Sequence, residues 1–296
     1  MDTFQFLQAT LPEAGFYFLV TNINKRFEHH AFQSKAEMAQ TAIALDRQNK
    51  SVYFACASYK QKSYITDNGK TKYRTADNAC QAKSFWLDID CGEDKAEAGK
   101  GYRTQTEAIE ALTEFCEKVR ISKPMIVSSG HGIHCYWLLK ESISKHDWLP
   151  LAQLLKSTTQ QPETKLLADD SRTADIASIL RPAGTRNFKH GEPKAVEVIY
   201  QSPEVTFSDF SQAIHQSHAK HGAASAKPPS TILNAVLTYP TIPETPEYIA
   251  YVESALATID PDCERDKWRD ICFAIHALNW QCGKELAREW SKGALR

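Results

Sequence analysis

Two aspartates one residue apart are the first candidates for chemistry in this sequence. Asp88 and Asp90 lie in the run FWLDIDCG, residues 85–92, which is otherwise apolar and typical of a strand. Because successive side chains of a strand point to opposite faces, both carboxylates face one side and the core residues face the other. Burying unpaired carboxylates is costly, and a bound divalent cation removes that cost. The pair therefore predicts a metal site; a solvated strand face with two incidental acids is the alternative.

A second candidate is the run SSGHGIHCYW, residues 128–137. Gly130 and Gly132 permit a tight turn whose backbone amides can face an anion. A histidine just past such a turn, His134, can donate a hydrogen bond to a phosphate. The alternative interpretation is a hairpin whose histidine is satisfied by the backbone.

The third candidate is the run LADDSRTADIASILRPAGTRNFKHG, residues 167–191. It begins with acids and ends with Arg181, Arg186 and Lys189 around a Pro-Ala-Gly turn. Acids followed by bases fit a site that holds both a metal and a polyphosphate. An ordinary helix with an acidic start and a basic end is the alternative, because such charges suit the helix dipole. It does not explain the dense basic cluster that follows the helix.

The elements that must position these residues are indicated by hydrophobic periodicity. Alternating or continuous apolar runs predict strands, i/i+3/i+4 patterns predict amphipathic helices, and Asp-Asn-Gly predicts a turn. The predicted strands are at 15–20, 51–56, 85–90, 124–139 (two strands around the glycine-rich turn) and 196–200; the helices are at 34–48 and 104–120; and the turn is at 67–69.

Length and composition bound the class of protein. The 296 residues allow one large or two smaller domains, and 42% hydrophobic with 24% charged residues is ordinary globular composition. The net charge of −1 gives no overall basicity that would indicate nucleic acid, although a local basic groove is compatible with it. No apolar run is long enough to span a bilayer, so no membrane partner is expected.

Cysteine usage bears on metals and on the cellular compartment. None of the eight cysteines has CxxC spacing, which disfavours a zinc ribbon or a thioredoxin-type site. A zinc site from His131, His134 and Cys135 is poorly spaced, and we predict none. Since the N-terminus carries no signal peptide, we expect reduced thiols and a cytoplasmic protein.

The composition changes near residue 215. A small, polar, proline-containing stretch predicts a linker over 215–246, and helical periodicity follows over 247–292. We therefore expect a main domain at 1–214 and a helical domain at 247–296. The last helix has no obvious domain end after it, so we expect a fragment of a longer protein.

In their order along the chain, the three candidate motifs resemble those of the archaeo-eukaryotic primase superfamily. The similarity is closest to the primase-polymerases of phages, plasmids and other mobile elements, and it covers roughly residues 50–200. Residues 247–293, with the run DKWRDICFAIHAL, resemble more weakly the helical primase C-terminal domain. The resemblance implies an α/β (α+β) fold: an N-terminal α/β unit and an RRM-like unit with the active site between them, plus a small helical domain.

The resemblance assigns the metal-binding acids. Asp88 and Asp90 match the family's paired acids, and Asp169 matches the third catalytic acid by its spacing before RPAGT. Asp170 is adjacent and is left open as the alternative third ligand. The implied cofactor is Mg²⁺ or Mn²⁺ in a two-metal site, which suits an all-carboxylate ligand set.

The resemblance also assigns the nucleotide-binding positions. It implies that the histidine contacts the phosphates of the incoming nucleotide and that the basic segment lines the triphosphate or the template. Relatives have glycine or arginine where this chain has a histidine between the two turn glycines, and their turn commonly has Pro directly before Gly. The positions implied are Ser129, His131, His134, Arg181, Asn187 and Lys189.

The function implied is a template-dependent primase-polymerase. It would start and extend strands on single-stranded DNA from NTPs or dNTPs, and a helicase is expected in the same longer chain or as a partner. The alternatives are an HUH-type nuclease, a catalytically silent nucleic-acid-binding module attached to a helicase, and a sugar-nucleotide transferase. None of these uses all three motifs.

Overall fold

The computed structural model describes residues 1–23, 26–66, 68–189, 191–222, 244–278 and 280–292. The chain divides into two units, Met1–Ala226 and Lys227–Arg296, and each has a hydrophobic core of its own. Among the described helices, none combines the length and the apolar character needed to cross a membrane.

The first unit mixes helices and antiparallel strands. Its helices are α1 Thr3–Thr10, α2 Lys35–Arg47, α3 Glu93–Glu97, α4 Gln105–Val119, α5 Lys145–Gln160, α6 Asp170–Thr173 and α7 Phe207–Gly222, with a 3₁₀ turn at Pro162–Thr164. Its strands are β1 Tyr17–Ile23, β2 Arg26–Phe32, β3 Val52–Ala55, β4 Ala57–Tyr59, β5 Tyr64–Ile65, β6 Thr71–Lys72, β7 Ala79–Ile89, β8 Met125–Ser128, β9 Ile133–Ser144, β10 Ile179–Leu180, β11 Arg186–Asn187, β12 Lys194–Ala195 and β13 Glu197–Tyr200.

Two larger sheets organise this unit. A five-stranded sheet has the order β13-β8-β9-β7-β4, and a four-stranded sheet has the order β10-β3-β1-β2. In the first, β7 and β9 pair so that Asp88 lies opposite His134, and Trp86 lies opposite Tyr136. The register alone therefore brings the first two candidate motifs together.

Strand β7 is buried on both faces over residues 84–87, directly before the aspartates. On the face away from the acids, the Phe85 ring stacks on Trp148 of α5 at 5.8 Å and on Phe210 of α7 at 4.8 Å. On the acid face, Trp86 is fully buried. The predicted strand with its apolar environment is confirmed.

Helix α1 joins the two sheets. The Phe6 ring makes edge contacts with Phe54 of β3 at 5.3 Å and with Tyr136 of β9 at 5.6 Å. The helix begins at a capping box in which Asp2 and Gln5 bond each other's backbone amides. Because both sheets share this core, the groove between them has fixed walls.

The second unit is helical, as expected. It consists of α8 Pro246–Ala257, α9 Arg265–Ala277 and α10 Gly283–Ser291. Its core is small and contains Leu256, Ile275, Trp280 and Leu286.

The predicted linker at 215–246 needs one correction. Residues 215–222 continue α7, because Ile214 and Ser217 of this helix are buried in the first unit. Residues 223–243 lie outside the described part of the chain, so the domain boundaries otherwise stay a prediction.

Candidate active site

The three candidate motifs meet in one cleft of about 250 Å³ within the first unit. All of the predicted site residues except Asp169 line it. The other wall comes from the four-stranded sheet, which contributes Tyr53 of β3 and Phe27 of β2. The site thus lies between the two α/β halves of this unit.

The acids are positioned by the end of β7 and by a segment that docks on it. The backbone N–H of Asp169 donates to the Asp88 carbonyl at 2.7 Å, which fixes Asp169 beside the paired acids. Asp170 instead accepts a hydrogen bond from Gln160 Nε2 at 2.7 Å. Of the two residues left open by the sequence, Asp169 is the one that lies next to Asp88.

The carboxylate of Asp88 is partly buried and lies near two other acids. Its side chain is 22% exposed, and burial, followed by the neighbouring charges of Asp90 and Asp169, raises its pKa to about 7. Arg172 and Arg181 act in the opposite direction. Clustered like charges with a raised pKa are typical of functional sites.

Asp90 and Asp169 are each paired with a base. Lys95 Nζ lies 2.6 Å from Asp90 Oδ2, and Arg172 Nε lies 3.8 Å from Asp169 Oδ2. Asp169 is also the N-cap of α6 and accepts from the Ser171 amide at 2.8 Å. As the side chains stand, no three acid, histidine or cysteine groups in the described residues form a ready metal cluster.

The donor set nevertheless fits a hard divalent cation. All three side chains offer carboxylate oxygens, the ligands that Mg²⁺ and Mn²⁺ prefer. His134 Nε2 lies 3.7 Å from Asp88 Oδ1, but it does not neutralise the carboxylate, because burial lowers the pKa of this histidine to about 3.

His134 is a buried, neutral imidazole. Burial and then the charge of Arg181 disfavour its protonated form. Its Nδ1 atom is buried with no hydrogen-bond partner among the described residues. Buried polar atoms without a partner are rare in folded proteins, and each calls for an explanation such as an ordered water, an ion or a functional role.

The glycine turn between β8 and β9 packs directly on the end of β7. Gly130 has a φ of +89°, which favours glycine. A Cβ at Gly132 would lie 2.3 Å from the Ile89 carbonyl oxygen, so this position excludes any side chain. Ser129 Oγ accepts the Gly132 N–H at 3.2 Å. The serine thus holds the turn in shape.

Asn187 is a brace between the turn and the basic segment. Its Nδ2 donates to the Ser129 carbonyl at 2.7 Å, and its Oδ1 accepts from the Lys189 N–H at 3.0 Å. His131 Nε2 lies 3.0 Å from the Lys189 carbonyl oxygen. Both side chains therefore attach the basic segment to the turn, and Lys189 remains exposed at the cleft.

Arg181 is held in the cleft by the opposite sheet. Its Nη2 donates to the Tyr53 hydroxyl at 2.8 Å, and its guanidinium carbon lies 4.6 Å from the centre of the Tyr53 ring. Its Nε has no partner among the described residues. The nearby Arg186 instead forms an ion pair with Asp46 at 3.0 Å and bonds that residue's backbone.

Sequence reasoning missed three charged or polar neighbours of the site. Lys95 and Arg172 pair with the acids, and each follows an acid within a few residues, which was a usable signal. Tyr53, which orients Arg181, had none, because it lies in a strand of the other sheet.

Comparison with known proteins adds two findings. Residues 252–296 match the family model described as Primase C terminal 2 (PriCT-2). The primase-polymerase (AEP) domain of cyanophage S-2L superimposes with a TM-score of 0.50 at 12% identity, over 72% of this chain and 96% of that chain. This chain has an archaeo-eukaryotic primase fold. The expected fold, with its helical primase C-terminal domain, is confirmed.

Two further structures are similar to a lesser degree. The primase RepB′ gives a TM-score of 0.46 at 13% identity, covering 93% of this chain and 75% of that one. The catalytic domain of RepB′ in complex with initiator DNA gives 0.41 at 14% identity, covering 76% and 100%. The sequence has no significant match among the curated proteins.

Proposed function

We propose that this chain is a DNA-templated nucleotidyltransferase of the primase-polymerase kind. It synthesises primers on single-stranded DNA and extends them from NTPs or dNTPs, releasing pyrophosphate. The observation that carries the proposal is that Asp88 and Asp90 line one cleft with Arg181 and Lys189, while Asp169 is attached to Asp88 by a backbone hydrogen bond. The N-terminal fold and the match of the C-terminal helices to a primase family model support it.

The acids would hold Mg²⁺ or Mn²⁺. When bound, these ions activate the 3′-hydroxyl and stabilise the leaving pyrophosphate during in-line displacement. Asp88 and Asp90 would supply ligands from β7, and Asp169 would supply one from the docked segment.

The remaining residues would bind and orient the triphosphate. Arg181 presents its guanidinium from the Tyr53 side, and Lys189 adds a second positive charge. His134 can donate one hydrogen bond to a phosphate oxygen without adding charge. In such a site most of the rate comes from positioning and charge neutralisation.

The alternatives leave parts of this geometry unused. An HUH-type nuclease needs two histidines that act together on one ion, whereas His131 bonds the Lys189 carbonyl and His134 is buried opposite Asp88. A sugar-nucleotide transferase would use the acids, but it leaves the glycine turn and the basic segment idle.

The test is incorporation of labelled nucleotides on single-stranded DNA without a primer, with Mg²⁺ or Mn²⁺. We expect products from the wild type and a loss of about 10²- to 10³-fold or more in Asp88→Asn and Asp169→Asn. Asp170→Asn is the matched control and should retain activity, because that carboxylate bonds Gln160 outside the cluster.

Three other outcomes are informative. Synthesis only from a supplied primer would restrict the activity to extension. Equal losses in Asp169→Asn and Asp170→Asn would overturn the choice between them. No synthesis of either kind with either metal would contradict the proposal and favour a binding module.

A further inference from the structure

The strongest local concentration of positive charge lies outside the cleft. Residues 60–74, KQKSYITDNGKTKYR, contain five bases and one acid, whereas the whole chain has a net charge of −1. They include the β5–β6 hairpin, in which Tyr64 pairs with Lys72. We call this segment the basic hairpin; its bases are Lys60, Lys62, Lys70, Lys72 and Arg74, and the four lysines are exposed.

Exposed aromatic rings run from the basic hairpin toward the cleft. Tyr73 is 41% exposed, and its ring stacks on His29 of β2 at 5.3 Å with an interplanar angle of 7°. Phe27 is 53% exposed and lines the cleft. Phe27 and His29 are two residues apart on β2, so they share one face of the strand.

Specific hydrogen bonds hold the hairpin in its conformation. Its turn is closed by the Gly69 N–H on the Thr66 carbonyl at 2.8 Å, and Asn78 Nδ2 bonds the Tyr73 carbonyl at 2.7 Å. Arg74 Nε is buried without a hydrogen-bond partner among the described residues. A hairpin that served only solubility would need neither the stacked ring pair nor an arginine whose Nε is buried.

Exposed lysines beside exposed aromatic rings suit one class of ligand. Single-stranded nucleic acid presents phosphates to lysines and unpaired bases to aromatic rings. Duplex DNA offers the phosphates but keeps its bases stacked inside. An acidic protein surface would give the rings no comparable partner.

We propose that the basic hairpin, with Phe27 and Tyr73, binds the single-stranded DNA template as it passes into the cleft. The lysines contact phosphates, and bases stack on the two rings. This inference rests on the proposed function for the direction and use of the strand, but strand binding can be measured without catalysis.

The charge contribution is tested with two matched triple variants of the full chain. One is Lys62→Gln/Lys70→Gln/Lys72→Gln in the basic hairpin. The control, Arg47→Gln/Lys118→Gln/Lys140→Gln, removes three exposed bases from α2, α4 and β9. Binding of fluorescein-labelled oligothymidylate is followed by anisotropy across a range of salt concentrations, with circular dichroism as a check of folding.

The salt dependence is the decisive readout. Each phosphate contact on a single strand contributes about 0.7 to the slope of log K against log salt, so the hairpin variant should lose about 2 from that slope. At ~0.1 M salt its affinity should fall on the order of 10- to 100-fold. The control variant should keep the wild-type slope.

The stacking contribution is tested separately with Tyr73→Ala. Loss of one base–ring stack should weaken binding of the single strand by about 5- to 100-fold, with little change in the salt slope. Affinity for a duplex of the same sequence should change less, because its bases are not free to stack.

An unchanged slope in the hairpin variant, or an equal loss in the control, would overturn this inference. If the wild type incorporates nucleotides while the hairpin variant binds normally, only this inference falls. If the hairpin variant loses strand binding but the wild type incorporates nothing, strand binding stands and the proposed polymerase falls.

Discussion

The environment of Asp88 is set by its strand register, its burial and the charges of two neighbouring acids. It lies opposite His134, the second residue of β9 after the glycine turn, and burial and the charges of Asp90 and Asp169 raise the pKa of its carboxyl. The folded protein therefore keeps three acids close together at the end of β7, although their mutual repulsion opposes folding. Such clusters persist where function requires them, and other contacts must offset the cost.

The burial of Asp88, together with the repulsion from Asp90 and Asp169, predicts a stability gain in Asp88→Asn. Because the folded pKa of about 7 exceeds the ordinary 3.8, the folded state binds a proton that the unfolded state has released between these pH values. Stability of the wild type should thus fall as pH rises from about 4 to 7. At pH 8 without metal, Asp88→Asn should be more stable by on the order of 1–4 kcal/mol.

Urea denaturation at pH 5 and pH 8 checks this, with Asp170→Asn as the control for an acid outside the cluster. The difference in free energy of unfolding between Asp88→Asn and the wild type should be smaller at pH 5 than at pH 8. Mn²⁺ should raise the melting temperature of the wild type at pH 8 but not that of Asp88→Asn. A less stable Asp88→Asn at pH 8 would mean that the carboxylate is stabilised by contacts rather than repelled.

Arg181 and Arg186 allow a second prediction, because they are close in sequence and differ in contacts. Under the proposed function, Arg181→Gln should raise the apparent KM for the nucleotide by about 10- to 100-fold, since it would remove a charge-assisted hydrogen bond to phosphate. Arg186→Gln breaks the ion pair with Asp46 and should lower the melting temperature while leaving KM unchanged. Steady-state kinetics and thermal unfolding of both variants separate the two roles. A raised KM in Arg186→Gln with an unchanged KM in Arg181→Gln would contradict this prediction.

At the scale of elements, the turn between β8 and β9 packs on the end of β7, the strand that carries the paired acids. Its contact with the end of β7 is so close that only glycine fits at position 132. Ser129 hydrogen-bonds within the turn, and Asn187 hydrogen-bonds to the turn from the basic segment. A shift of this turn would therefore move β7, the basic segment and the histidine together.

Gly132→Ala should accordingly lower the free energy of unfolding by about 1–3 kcal/mol and reduce nucleotide incorporation by more than the stability loss explains. Gly99→Ala is the control: its φ of +63° strains alanine by about 1–2 kcal/mol, but its Cβ would meet nothing within 4 Å. Chemical denaturation and activity at saturating nucleotide test the pair. Comparable activity in both variants would show that the turn does not position the acids.

At the scale of the whole molecule, the chain has two units with separate cores. Within the part of the chain that the structure describes, the residues that line the cleft all belong to the larger unit. The proposed active site and the C-terminal helices can therefore be tested separately.

Deletion of residues 247–296 should impair priming selectively. We expect extension of a supplied primer to fall less than about twofold, whereas unprimed synthesis should fall at least about tenfold if the helices hold the initiating nucleotide or the template. Parallel assays of the full chain and the truncated chain, at equal folded concentration, provide the measurement. Equal losses of both activities would refute this role.

The sequence by itself located several of the elements, including β7 and the strands around the glycine turn, and it gave the order of the motifs. Alternation in β7 placed Asp88 and Asp90 on one face, helical spacing located α2 and α4, and two glycines located the turn. These features depend on neighbours within a few residues, so local patterns encode them. The resemblance to archaeo-eukaryotic primases rested on that order and correctly indicated the fold.

Only the tertiary structure decided the contacts of individual residues. Asp169 lies beside Asp88 because its backbone bonds β7, a contact that spacing cannot distinguish from one made by Asp170. Tyr53 binds Arg181 and holds its guanidinium in the cleft, whereas Arg186 forms an ion pair with Asp46 instead. In each case the deciding partner lies far along the chain and comes close only when the sheets pack, so no local pattern in the sequence could reveal it.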